Sequence, residues 1–149
     1  MSDPRPPRYL KRMNKLMMAV QKLGIPTGPA MVLTVPGRKS GKPRSTPMTP
    51  FEFDGGLYVV AGYPGADWAA NARAAGTGTL SKGRRSRCVR IVELTAAQAR
   101  PILRAFPIEV PVGKAFAKSS GMVVDGTADE FEALAGRIAV FRFDPVATG

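Results

Sequence analysis

Apolar and polar residues alternate in short runs along most of this chain, with the period expected of half-buried strands. Glycine, proline and aspartate separate several of the runs, as is typical of tight turns. Six runs predict strands, at residues 30–35, 49–53, 57–62, 76–80, 87–94 and 137–143. About six short strands with helices between some of them predict a mainly β fold of the α+β class, in which an antiparallel barrel carries peripheral helices.

A helical period marks residues 9–23, where four apolar side chains share one face: Leu10, Met13, Met17 and Val20. Gly24 and Pro26 end this helix. Residues 1–7 are rich in proline and predict a flexible lead-in, so we expect a single domain over residues 8–149. The apolar face can pack on the core, and the cations around it also fit peripheral contact with a membrane.

Further helices are predicted in the second half of the chain and between two of the strands. They cover residues 68–75, 95–105, 114–120 and 129–134. Asp67 is the expected cap of the first of them, and Thr95 that of the second. Pro107 and Pro111 are expected to bracket a loop.

Composition narrows the chemistry available to the protein. The 149 residues include 22 basic and 11 acidic side chains, a net charge of +11 that suits a polyanionic partner. The chain has no histidine and one cysteine, which excludes histidine-based triads and predicts no metal site. Cys88 lies in an apolar run, which predicts a buried thiol. The N-terminus lacks the apolar core of a signal peptide, so we expect a cytoplasmic protein.

A short basic segment, residues 36–47, reads PGRKSGKPRSTP and contains no acid. We call it the cationic segment. Its glycines allow a tight turn whose backbone N–H groups converge, and its cations suit a phosphate or carboxylate. A nucleotide-hydrolysing P-loop is excluded, because only three residues separate Gly37 from Gly41 and Pro43 follows Lys42. A solvated turn without a ligand is the alternative interpretation.

A second cluster joins the only tryptophan, Trp68, to Asn71 one helical turn later. The indole can stack on a planar ligand while the amide orients it, although a tryptophan on an alanine-rich helix is also typical of a core. The basic turn at residues 82–87 lacks interleaved aromatics, so no specific nucleic-acid binding is predicted.

Taken together, GRKSG-x-x-R-x-x-P from Gly37 to Pro47 and Trp68-x-x-Asn71 resemble the deazaflavin-dependent nitroreductase family. The resemblance covers roughly residues 25–143. It implies a single split β-barrel, like that of FMN-binding proteins, which holds coenzyme F-420, a deazaflavin with a phosphodiester and an oligoglutamate tail. One departure is the loop AGYPGAD, which is shorter than in many relatives and has Tyr63 where a lysine is common.

The resemblance also implies roles for residues. The predicted cofactor-binding set is Arg38, Lys39, Ser40, Gly41, Arg44, Thr46, Pro47, Gly62, Trp68 and Asn71. Within it, the polar and charged side chains of residues 38–44 would hold the phosphate and tail. Thr46 and Pro47 would offer backbone contacts to the ring, and Trp68 with Asn71 would close one side.

The activity implied is hydride transfer from the reduced deazaflavin to a hydrophobic, electron-poor acceptor such as a quinone, an enone or a nitroaromatic. Solvent or a tyrosine would supply the accompanying proton, with Tyr63 and Tyr9 as candidates. Two alternatives share the barrel: a non-catalytic carrier of lipid, haem or flavin, and an oxidoreductase that uses FMN. Members of the deazaflavin group are more often monomers, so a monomer is favoured over a homodimer.

Overall fold

The computed structural model describes residues 30–146, and this part of the chain forms seven strands and four helices. The strands are β1 (Met31–Pro36), β2 (Pro43–Met48), β3 (Phe51–Phe53), β4 (Gly56–Val60), β5 (Thr77–Lys82), β6 (Arg85–Glu93) and β7 (Val140–Pro145). The helices are α1 (Asp67–Ala75), α2 (Ala96–Glu109), α3 (Pro111–Ser119) and α4 (Ala128–Glu132). The predicted lead-in at 1–7, the predicted helix at 9–23 and Tyr9 lie outside the described residues.

The seven strands form one antiparallel sheet in the order β2-β1-β5-β6-β7-β4-β3. The two edge strands, β2 and β3, are consecutive in the chain and only residues 49–50 separate them. Three Cα steps span at most about 11 Å, so the two edges of the sheet must lie close together. The sheet therefore curls into a barrel, as the sequence predicts.

The strand count is seven rather than the predicted six because the cationic segment contains a strand of its own. Residues 43–48 pair with β1 along their whole length, from Pro36 opposite Pro43 to Met31 opposite Met48. Because these residues are mostly polar or proline, they do not show the apolar alternation that predicts a strand. Pro50 interrupts the chain before β3, which confirms the irregular start predicted for the strand at 49–53.

Two clusters of buried apolar side chains stabilise the barrel. One lies between the sheet and α1 and includes Leu33, Ala69 and Phe141. The other lies beneath α2, α3 and α4 and includes Leu103 and Phe131. Trp68 packs against the first cluster, with its ring 5.6 Å from the ring of Phe141.

Helix α2 is longer than the sequence predicts. Thr95 caps it through a capping box with Gln98, but the helix runs through Pro107 to Glu109 instead of ending in a loop. A proline inside a helix costs a backbone hydrogen bond. Burial of Pro107 beside Phe106 offsets this cost, and Pro111 then begins α3 at a position where its missing N–H is harmless.

Two smaller predictions are wrong. Asp67 does not cap α1, because the cap is Ala66 and Asp67 is the first helical residue. Cys88 is exposed, not buried, because it alternates with the buried Val89 and Ile91 and so points to the opposite face of β6.

We predict that acid weakens the fold partly through Glu130. Its carboxylate accepts backbone N–H groups of Val124 at 2.6 Å, Asp125 at 3.0 Å and Thr127 at 3.2 Å, and these bonds lower the pKa of Glu130 to about 2. Because the pKa of the folded state is depressed, this contribution is complete above the ordinary glutamate pKa of about 4.3 and is lost as the pH falls toward about 2.

Denaturant midpoints measured from about pH 6 down to about pH 2 test this prediction, because a glutamate carboxyl group titrates within this range. The midpoint of the original protein should fall more steeply than that of Glu130→Gln, which keeps an acceptor but does not titrate. Equal slopes for the two proteins would contradict the assignment.

Candidate functional site

A surface cleft of about 420 Å³ opens where the turn after β1, strand β2 and the start of α1 meet. It brings together seven of the predicted cofactor-binding residues: Arg38, Lys39, Ser40, Arg44, Thr46, Trp68 and Asn71. It also includes Gly37, Ser45 and Asp67, which the sequence reasoning left out of the site. Gly37 is the first residue of the first motif, and Ser45 and Asp67 lie beside motif residues, so the motifs were the signal that could have found all three.

The turn between β1 and β2 is held by its own backbone. The N–H of Gly37 donates to the carbonyl of Lys42 at 2.8 Å, and the N–H of Gly41 donates to the carbonyl of Gly37 at 2.9 Å. Gly41 has a φ of 72°, a conformation that other residues rarely adopt. Gly41 therefore shapes the turn from outside the cleft lining, and the turn presents its cations on a fixed frame.

Arg38 and Asn71 connect the two sequence motifs. The Asn71 side-chain oxygen accepts two hydrogen bonds from Arg38, one from the backbone N–H at 3.1 Å and one from Nη1 at 2.8 Å. Asn71 is only 8% exposed, and among residues 30–146 its amide nitrogen donates no hydrogen bond. A buried N–H donor of this kind needs an acceptor. Asn71, which carries this donor, lies in the lining of the cleft.

Arg38 also reaches the first residue of α1. Its Nη1 donates to the carbonyl of Asp67 at 3.4 Å, and its Nη2 lies 3.4 Å from the Asp67 carboxylate. Arg38 is thus engaged within the protein, whereas Lys39 and Arg44 have no carboxylate partner in the described part of the chain. These two cations can meet an anion without breaking an ion pair, whereas Arg38 would have to give up its contact with Asp67.

The remaining predicted residues lie apart from this cleft. Pro47 is half-buried on β2, opposite Val32, and Gly62 lies beneath the ring of Phe116, which an added Cβ would meet at 2.9 Å. Tyr63 lines a separate cleft of about 320 Å³ on the opposite flank of α1. Burial, with a smaller effect from Asp67, raises the pKa of Tyr63 above its ordinary value.

The residues of the larger cleft fit a deazaflavin with an anionic tail. The indole of Trp68 offers an apolar surface to a planar ring, and the buried amide nitrogen of Asn71 has no acceptor within residues 30–146. Lys39 and Arg44 lie in the same lining and have no carboxylate partner in the described structure. A polar donor, a flat surface and cations in one cleft are the groups that such a cofactor requires.

A family model described as F420H(2)-dependent quinone reductase matches residues 8–121 of the chain. The protein belongs to this family. The match spans both motifs of the cleft, and the resemblance drawn from those motifs is thereby confirmed. This quinone reductase family member is a deazaflavin-dependent oxidoreductase with coenzyme F-420 as its cofactor, and nothing favours the carrier or the FMN enzyme.

Solved structures confirm the split-barrel fold of this quinone reductase family member. An F420-H2 dependent reductase, FDR-A, aligns with a TM-score of 0.53 at 21% identity, over 78% of this chain and 94% of its own. A protein described as a domain-swapped dimer aligns with a TM-score of 0.54 at 18% identity, over 91% and 98%. A FAD-binding protein from Mesorhizobium loti aligns with a TM-score of 0.51 at 14% identity, over 87% and 89%. No curated protein matches the chain.

Between residues 30 and 146, no helix is both long and apolar enough to cross a membrane. The predicted membrane contact concerns residues 9–23, outside the described part of the chain, and it stays a prediction.

Proposed function

We propose that the cleft between the cationic segment and α1 binds the phosphate end of coenzyme F-420 and one side of its ring, for hydride transfer to a quinone. The observation that carries the proposal is the pair of hydrogen bonds from Arg38 to the side-chain oxygen of Asn71. They bring the basic turn to the helix that bears Trp68, so that charge and an aromatic surface share one wall. A solvated turn would not need this connection.

In this proposal Lys39 and Arg44 hold the phosphate and the first part of the tail. Both lie in the cleft lining without a carboxylate partner among residues 30–146, so neither must break an ion pair to bind. The stem of Arg44 lies beside Gly37, where an added Cβ would approach its Cγ to 3.4 Å. Arg38 fixes the turn against α1 through Asn71, and its Nη2, 3.4 Å from the exposed Asp67 carboxylate, remains a further contact for the phosphate.

The free edge of β2 supplies the backbone contact proposed for the ring. Within the described structure, no strand pairs with the side of β2 that faces away from β1. Prolines in edge strands direct their nitrogen away from the ladder, which sets this direction for Pro43 and Pro47. Ser45 alternates in step with both prolines, so its N–H faces the same way and is the donor that the edge offers.

When bound, the reduced deazaflavin supplies the hydride. The contribution of the chain is to bind and orient: Trp68 limits access of water to one side, Asn71 donates to a ring or ribityl oxygen, and Ser45 donates from the strand edge. Tyr63 lies on the opposite flank of α1, in the lining of a different cleft. We assign the accompanying proton to solvent.

The acceptor, location and assembly complete the proposal. A small, hydrophobic quinone in the cytoplasm is the acceptor that the family description and the sequence favour together.

The neighbour described as a domain-swapped dimer favours a dimer over the monomer predicted from the sequence. Light scattering on the purified protein would decide between monomer and dimer.

Titration of the protein with oxidised coenzyme F-420 tests the site. Trp68 is the only tryptophan and lines the cleft, so its fluorescence should report binding directly. Saturable quenching at micromolar coenzyme is expected. If no binding occurs at those concentrations, the proposed site is wrong.

We predict that Lys39→Ala and Arg44→Ala each weaken coenzyme binding by about 1–3 kcal/mol, since each removes one charge-assisted contact. The same titration measures the effect. Arg100→Ala is the matched control, because Arg100 is exposed on α2, has no ion pair in the described structure and carries the same charge. Equal losses in all three variants would show that only net charge matters.

A further inference from the structure

Of the described residues that line the cleft, one is a carboxylate, Asp67, while the other charged ones, Arg38, Lys39 and Arg44, are all cations. Asp67 is the first residue of α1, and its side chain is 89% exposed. A carboxylate in the first turn stabilises a helix, which explains an acid at this end of α1. The same carboxylate opposes any anion that enters the cleft.

Asp67 and a ligand anion would compete for the same guanidinium. Arg38 donates through Nη1 to Asn71 at 2.8 Å, and its Nη2 faces the Asp67 carboxylate at 3.4 Å. An exposed ion pair at this distance is weak, whereas a guanidinium and a phosphate form strong paired hydrogen bonds. A phosphate that reaches Arg38 would therefore displace Asp67, and the displaced carboxylate would remain close enough to repel it.

We propose that Asp67 is a specificity-determining residue that lowers the affinity of the cleft for highly anionic ligands by competing with them for Arg38. The proposal rests on the proposed function, since it assumes that the cleft binds the coenzyme through its phosphate end. Asp67 discriminates by ligand charge, so its effect grows with the number of negative groups near the turn. A ligand without phosphate and tail is unaffected.

The test compares binding of two probes by Trp68 fluorescence. One probe is coenzyme F-420, and the other is the deazaflavin chromophore without phosphate and tail. Asp67→Asn should bind the coenzyme about three- to tenfold more tightly than the original protein at low salt, and the gain should shrink as salt screens the charges. The affinity of Asp67→Asn for the bare chromophore should not change.

Two variants serve as controls. Asp67→Glu keeps the charge and should show no gain. Asp125→Asn removes an equal charge from an exposed residue that is not in the cleft lining, and it should behave like the original protein.

An unchanged or weaker affinity of Asp67→Asn for the coenzyme would overturn the inference, because Asp67 would then be neutral or would position Arg38 for binding. An equal gain for both probes would also overturn it. In either case the original protein still binds the coenzyme, and the proposed function stands. Failure of the original protein to bind the coenzyme would instead refute the proposed function.

Discussion

Asn71→Ala is expected to weaken coenzyme binding at least about tenfold and to lower the free energy of unfolding by about 1.5–3 kcal/mol. The substitution removes the oxygen that accepts two hydrogen bonds from Arg38, one of them from its charged guanidinium. Asn71 is 8% exposed, so water cannot fully replace the lost acceptor. Denaturant titration measures the stability and Trp68 fluorescence measures the affinity.

Asn71→Asp separates the two roles of this residue. It keeps an oxygen for Arg38, so the fold should retain its stability, but it loses the amide nitrogen and places a negative charge in the cleft lining. Coenzyme binding should therefore be lost while the denaturation midpoint is preserved. If Asn71→Asp bound the coenzyme as well as the original protein does, the amide nitrogen would have no part in the site.

Phe141→Ala is expected to lower the free energy of unfolding by about 3–5 kcal/mol, the usual cost of emptying a fully buried phenylalanine site. Phe141 has no exposed surface, and its ring lies 5.6 Å from that of Trp68. The cavity removes the support beneath the indole, so coenzyme affinity should fall as well. Denaturation and the emission spectrum of Trp68 test both parts.

Phe131→Ala is the matched control for this prediction. Phe131 is 1% exposed, but it belongs to the buried cluster beneath α2, α3 and α4. Its truncation should cost a similar amount of stability and leave coenzyme affinity unchanged at temperatures where the variant is folded. An equal loss of affinity in both variants would show that binding follows general stability and not the support of Trp68.

Apolar alternation predicted the barrel well, since each run of half-buried residues became a strand. It missed β2, where the charges and prolines of the cationic segment conceal an edge strand. It also could not foresee that α2 continues past Pro107, because that depends on packing of Phe106 against Phe51 and Phe131, which are distant in the chain. The local sequence pattern does not show whether tertiary packing offsets the cost of a proline inside a helix.

The candidate site was predictable as a set of residues but not as a network of contacts. Motif spacing brought Arg38, Lys39, Arg44, Trp68 and Asn71 into one hypothesis, and the structure places all five around one cleft. The spacing assigned Arg38 to the phosphate, and the structure adds hydrogen bonds from Arg38 to α1 that the spacing did not indicate. A hydrogen bond between residues 33 positions apart follows from the fold, and spacing alone does not predict it.

The placement of Tyr63 is another feature that the sequence did not predict. Its position in the short loop before α1 made it a candidate proton donor, yet it lines a different cleft on the far flank of that helix. Helical geometry explains the difference, because residues 66, 69, 70 and 73 face one side of α1 while residues 67, 68 and 71 face the other. Tyr63 as proton donor is therefore the untested alternative to solvent, and Tyr63→Phe would test it.

Anaerobic mixing of the protein and reduced coenzyme F-420 with a soluble quinone tests the central claim most directly. Recovery of the visible absorbance of the oxidised deazaflavin measures hydride transfer. We expect rapid recovery that requires both protein and quinone and that is strongly slowed in Asn71→Asp. Recovery no faster than in the absence of protein, or equally fast in Asn71→Asp, would contradict the assignment of this cleft as the site of the coenzyme.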